Sequence, residues 1–144
     1  MTIAADIRAA IAHFHRNAPI VVPNKRDFLN LFTESDVVVS TMSGQLLEYE
    51  IKVTRADYLR DAAKRRNRIY SGAYPLEGKR PNRFFYATAA GIITEADLPA
   101  WAGWYELNEA GLELKRKAPL LHKERHELKV ILQLARAMRA RSAA

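Results

Sequence analysis

The sequence predicts an α/β fold, a mixed central sheet flanked by helices, with an added C-terminal hairpin and helix. Three observations predict it. Ile3, Ile7, Ala10, Ile11 and Phe14 recur at helical spacing near the N-terminus. Residues 37–41 and 46–53 alternate at period two on either side of Ser43-Gly44, which is a β-hairpin pattern. Thr54-x-x-Asp57 then opens a helix, because the threonine hydroxyl can accept from the first free N–H groups.

Taken in order, residues 2–17 form an amphipathic helix that Pro19 ends. Pro19-Ile-Val-Val-Pro23 is short and β-branched, a strand placed at a sheet edge by its prolines. Residues 25–33, with Phe28, Leu29, Leu31 and Phe32, fit either a helical turn or a buried loop. After the hairpin, the helix from Thr54 runs to about Tyr70, with Leu59, Ala62, Ala63, Ile69 and Tyr70 on its inner side. Ser71, Gly72, Pro75, Gly78 and Pro81 make residues 71–82 a loop. Residues 83–88 form a strand, and Thr94 with Asp97 caps a short helix stopping near Pro99. Residues 104–107 and 112–116 make a second hairpin. The C-terminal helix covers 120–140, with a stripe of Leu128, Ile131, Leu132, Ala135 and Met138. The 144 residues and 49% hydrophobic content suit one domain, 1–144, with its core at about 2–89 and an extension over 90–144.

Composition narrows the function. The absence of cysteine excludes disulfides and cysteine zinc sites and fits a reducing cytoplasm. The N-terminus has no basic stretch leading into an apolar run, so a signal peptide is not expected. No apolar stretch approaches the roughly 20 residues that cross a bilayer, so no membrane partner is expected. The net charge is +7, and residues 55–83 hold nine Lys or Arg against three acids. Such an excess suits a polyanion, and nucleic acid is the commonest one; a solvated helix face would look the same.

The first hairpin carries the chemistry. A two-residue turn at Ser43-Gly44 would set charged residues against the apolar face of the opposite strand. A three-residue loop, Met42-Ser43-Gly44, shifts the pairing by one and gives Gly44 the left-handed position; a five-residue loop gives the same pairing. One face then carries Val37, Val39, Leu47, Tyr49, Ile51 and Val53, and the other Glu34, Asp36, Glu48, Glu50 and Lys52. Asp36 stands opposite Glu50, with Cβ atoms about 5 Å apart, and like charges so placed destabilise a sheet. A hard divalent cation between them removes the repulsion. Lys52, two residues on, can reach a phosphate or an attacking water. The competing reading is a solvent-exposed strand of mixed charge, with Glu34 and Lys52 a surface ion pair of little worth.

These residues resemble the PD-(D/E)xK nuclease superfamily, whose pattern is an acid on the second core strand and Glu/Asp-x-Lys on the third, here Asp36 and Glu50-Ile51-Lys52. The order helix, three strands, helix, strand also matches that restriction-endonuclease-like αβββαβ core. The longer run Glu34-Ser-Asp36, Glu48-Tyr-Glu50-Ile-Lys52-Val-Thr-Arg-Ala-Asp57, Asp61 and Lys64 is similar to small phage and bacterial DNA-repair-type nucleases. So are Asn82-Arg-Phe-Phe-Tyr86, Gly91-Ile-Ile, Leu98-Pro-Ala-Trp-Ala-Gly103 and Lys117-Ala-Pro-Leu-Leu-His122-Lys, which extend the likeness to about residue 123. Ser35 replaces the proline of the family's name, and the first helix offers only Asp6, near the wrong end; Glu34 or Glu48 could stand in for it as a metal ligand.

The resemblance implies a Mg²⁺- or Mn²⁺-dependent deoxyribonuclease. Asp36, Glu50 and the backbone carbonyl of Ile51 would hold the metal, and Lys52 would act on the nucleophile. Arg55, Arg60, Lys64, Arg68, Lys79, Arg80 and Arg83 would track phosphates, on DNA rather than RNA. Asp57–Arg60 and Asp61–Arg65 could equally be ordinary helix-surface pairs. Two other functions fit the same residues: a non-cleaving nucleic-acid-binding module, and an interaction protein whose C-terminal helix docks on a partner or makes a homodimer. Tyr70, Tyr74 and Phe84 could stack bases, but core packing is the reading adopted, as for Trp101 and Trp104. His122 and His126 have metal-clamping spacing without a third ligand, and His13 and His15 face apart on a helix.

Overall fold

The computed structural model describes residues 3–26, 34–61, 70, 81–124, 132 and 134–139. Helix α1 (Ala4–Phe14) leads into β1 (Ile20–Arg26), β2 (Glu34–Ser40) and β3 (Leu46–Lys52). Helix α2 (Arg55–Asp61), β4 (Arg83–Ala89), a 3-10 turn (Glu95–Asp97), β5 (Ala102–Asn108) and β6 (Gly111–Arg116) follow. Residues 134–139 are helical. The expected αβββαβ order and the added hairpin are therefore present, as is an α/β architecture with a mixed sheet. Of the ambiguous segment, residues 25 and 26 belong to β1 and residues 27–33 lie outside the described residues, as do most of the loop and residues 62–69 of the expected 54–70 helix.

Among the described residues six strands lie in chain order, β1-β2-β3-β4-β5-β6. The outer pairs are antiparallel, whereas β3–β4 and β4–β5 are parallel. A parallel neighbour needs a crossover, and α2 begins the one between β3 and β4. β1 is an edge strand, where Pro23 removes no bond the sheet needs.

The first hairpin has the three-residue register. Thr41 N–H donates to the Gln45 carbonyl at 2.9 Å, and Gly44 has φ 84°. Val37 pairs with Tyr49 and Val39 with Leu47, so the same count sets Asp36 against Glu50.

Both faces of the sheet are buried. On one, Ile7 and Ile11 of α1 pack on Val37, Val39, Leu47, Tyr49, Ile51, Phe85 and Tyr105. Phe14, expected on the inner stripe, is 48% exposed and touches the Tyr105 ring edge-on, because α1 ends there. On the other face, Tyr58, Tyr70, Phe84, Tyr86, Trp101 and Trp104 form an aromatic cluster. Beside it Leu134 fills the space over Val22, Val38 and Leu46. The aromatics proposed as core are buried; Tyr74 is outside the described residues.

Two expectations about helix faces are corrected. Leu59 is exposed, and α2 turns Tyr58 and Asp61 inward. In the C-terminal helix Leu134 is fully buried and Leu132 exposed, so the inner stripe is rotated from the expected one, although Ala135 and Met138 still pack. Residues 121–124 are not helical, so His122 is not on the helix expected there; His126 is outside the described residues.

Candidate active site

β3 is a central strand with both faces covered, a place where near-continuous apolar residues are expected. Its sequence, Leu46-Leu47-Glu48-Tyr49-Glu50-Ile51-Lys52, departs from that on one face. Glu48, Glu50 and Lys52 are 0%, 6% and 8% exposed. The solvent-exposed strand of mixed charge is therefore excluded for these three.

Lys52 Nζ lies 3.2 Å from Glu50 Oε1 and 3.6 Å from Asp61 Oδ1. Asp61 comes from the last turn of α2 and is fully buried, and its Oδ2 accepts from the Tyr86 hydroxyl. Asp61 faces the sheet rather than the solvent, as a surface pair with Arg65 would require; Arg65 itself lies outside the described residues. Tyr86 is the register partner of Glu50 on β4, so the tyrosine, both acids and the lysine converge on one patch.

Asp36 is half-buried beside them. Its Oδ2 accepts from Ile51 N–H at 2.7 Å. Paired residues alternate along an antiparallel ladder, and Ile51 is where continued pairing would bring Ser35. Asp36 thus turns its carboxylate toward the main chain between Glu50 and Lys52. Glu48 accepts from Ser35 Oγ at 2.5 Å on Oε2 and from the Tyr70 hydroxyl on Oε1. Through those bonds Glu48 ties β2 to residue 70. Glu34 belongs to β2, but its side chain is outside the description. Among the described residues no group of three Asp, Glu, His or Cys side chains is gathered as for a metal ion.

Helix α2 is fixed at its start. Thr54 Oγ1 accepts from Asp57 N–H at 3.1 Å, the cap expected from the sequence. Arg55 makes a two-pronged bond to Asp97 at 2.8 and 3.0 Å, and the Tyr58 hydroxyl donates to the Asp97 carbonyl at 2.6 Å. The Arg55 bond, then the Thr94 amide, hold the Asp97 carboxyl well below the usual range. Burial, then the charges of Asp97 and Asp61, push the Tyr58 hydroxyl up to about 12, so it stays a donor.

The basic residues divide. Arg55 is tied to Asp97, and Arg83 donates to the Ala118 carbonyl at 2.5 Å and Gln45 Oε1 at 3.4 Å, so both have structural partners. Arg60 is largely exposed and pairs with Asp57, as a helix-surface pair would. Lys64, Arg68, Lys79 and Arg80 lie outside the described residues.

Asp61 and Tyr86 stand in the stretches that carry the family resemblance, but neither has a site role in the sequence-based expectation. The signal was available in part, since Tyr58 and Asp61 are three apart and share a helix face. Taking Tyr58 rather than Leu59 as the inward residue would have brought Asp61 in with it. On the opposite sheet face, a mostly apolar cavity of about 350 Å³ under α1 is lined by Ala5, Arg8, Ala9, Ala12, Val21, Pro23 and Val37, none of them a site residue.

No family model and no curated protein matches the chain. A solved structure, the SPO1766 protein of unknown function from Silicibacter pomeroyi, is similar, with a TM-score of 0.67 at 19% identity. The likeness covers 99% of this chain and 88% of that one, and at such identity it concerns the fold alone.

Proposed function

We propose that the protein is a Mg²⁺- or Mn²⁺-dependent nuclease that hydrolyses phosphodiester bonds in DNA. The observation that carries this reading is the buried Glu50–Lys52–Asp61 cluster beside Asp36, set in a central strand. Burying an ion pair costs several kcal/mol per ion, and apolar replacements are often as stable. Stability alone does not account for such a cluster; a need for charged groups at a fixed place does.

The donor set suits the cation. Asp36 and Glu50 are hard oxygen ligands, and Mg²⁺ typically takes one or two carboxylates, with water and phosphate oxygens completing its shell. Asp36, Glu50 and the Ile51 carbonyl would hold it, and a metal so held lowers the pKa of its water and polarises a phosphoryl oxygen. Lys52 supplies a positive charge where the phosphate develops negative charge. The Asp36–Ile51 bond keeps the acid of β2 against β3. Lys64, Arg68, Lys79 and Arg80, with Arg60, would contact phosphates along the strand.

Cleavage of duplex, single-stranded and branched DNA, measured with Mg²⁺, Mn²⁺ or a chelator, tests this. We expect metal-dependent cutting that falls at least about 100-fold in Glu50→Ala and in Lys52→Met. Variants that cut as fast as wild type would remove the site. The basic excess over residues 55–83, nine Lys or Arg against three acids, supports a second reading, a non-cleaving nucleic-acid-binding module. Salt-dependent retention on DNA without turnover would establish that reading instead.

A further inference from the structure

Among the described residues two acids lie within 4.0 Å of Lys52 Nζ, and of these only Glu50 has a part in the proposed reaction. Nζ is 3.2 Å from Glu50 Oε1 and 3.6 Å from Asp61 Oδ1, with the aspartate fully buried. Asp61 is held in place on two sides. The Tyr86 hydroxyl donates to its other oxygen, and α2 is anchored through Thr54, Arg55 and Tyr58.

An ammonium and a divalent cation compete for the same carboxylate. Two positive charges held within a few ångströms of each other repel strongly where water is largely excluded, and a divalent ion doubles that repulsion. Lys52 must therefore move its charge off Glu50 before Glu50 can serve as a metal ligand. It is buried, so its ammonium needs another anion within reach. Asp61 is that anion: Nζ stands within reach of both acids and slightly nearer Glu50.

We infer that Asp61 is a positioning residue that takes the Lys52 ammonium when Glu50 binds a divalent cation, the Glu50–Lys52–Asp61 juxtaposition acting as a charge exchange. This rests on the nuclease reading. Asp61 touches neither cation nor substrate; it acts through Lys52.

The test is calorimetric titration of the full chain with Mn²⁺ alone, in the absence of DNA, for wild type, Asp61→Asn, Lys52→Met and the double variant. Asp61→Asn keeps the side chain's size and is expected to bind Mn²⁺ about tenfold more weakly, a change of about 1.4 kcal/mol. Lys52→Met, which removes the competing charge, is expected to bind more tightly than wild type. The double variant is expected to match Lys52→Met, because Asp61 has nothing to position once the ammonium is gone. The inference is overturned if Asp61→Asn binds as tightly as wild type, or if the double variant stays as weak as Asp61→Asn, which would make Asp61 a ligand. Should Asp61→Asn fail to fold, Lys52→Met decides: tighter binding supports the exchange and unchanged or weaker binding overturns it. A wild type that takes up no Mn²⁺ removes the nuclease reading itself, a different result from wild-type binding with an indifferent Asp61→Asn.

Discussion

The two faces of β3 are equally hidden from water and differently made. Leu47, Tyr49 and Ile51 pack under α1 among Phe85 and Tyr105, while Glu48, Glu50 and Lys52 lie under α2 among tyrosine hydroxyls and Asp61. On the first face each side chain gains free energy by leaving water, at about 25 cal/mol per Å² of apolar surface. On the second, desolvation opposes every charge, and ion pairs together with hydrogen bonds from Ser35, Tyr70 and Tyr86 offset it. One strand thus separates a face that holds the fold from a face that holds charge. The second can be expected to be the weaker contributor to stability and the stronger contributor to function.

The largest effect expected is on the apolar face. Phe85 stacks on Tyr49 and leans on Tyr105, and Phe85→Ala should cost about 3–5 kcal/mol in urea unfolding, with little change across pH. A cost below about 1 kcal/mol would break the division of roles. On the charged face, Lys52→Met leaves Glu50 and Asp61 without their shared ammonium and should cost about 3 kcal/mol at neutral pH. A loss below about 1 kcal/mol would mean that the ammonium is not what holds the two carboxylates there.

Gly103 sharpens the apolar side. A Cβ there would meet the Phe85 ring at 2.6 Å and Ala118 at 2.7 Å, so Gly103→Ala should cost about 1–3 kcal/mol, read as a lower unfolding midpoint. The smallest effect expected is at His15, whose Nε2 lies 2.6 Å from the Tyr49 hydroxyl. Burial lowers its pKa below 6.5, so the folded state resists protonation. Stability from this residue is complete above the unfolded value and is lost as pH falls through 6.5 toward the folded value. His15→Gln should flatten that slope in unfolding curves taken between neutral and mildly acidic pH.

How much could be read beforehand varied with the kind of interaction. The hairpin register was legible because Gly44 and two alternating runs leave one pairing that gathers the apolar residues. The caps at Thr54 and Thr94 were legible because each involves residues three apart. The inward face of α2 was not, because Leu59 is more apolar than Asp61, and Lys52 and the Tyr86 hydroxyl, which give the aspartate a reason to be inside, lie on other elements. Asn82 shows the same limit. It is 2% exposed, its side chain accepts from Leu46 N–H, and it donates to the carbonyls of His122 and Glu124, partners far away in the chain.

From the sequence alone followed the element order, the α/β class, the edge position of β1 and the pairing that sets Asp36 against Glu50, since these rest on periodicity, turns and caps within short spans. Only the tertiary structure decided that the charged face of β3 is covered, that Asp61 and Tyr86 join it, and that Arg55 and Arg83 have partners of their own. Short-range order is encoded by neighbours in the chain. Whether a charge is buried depends on which distant element happens to lie over it, and no local pattern carries that information.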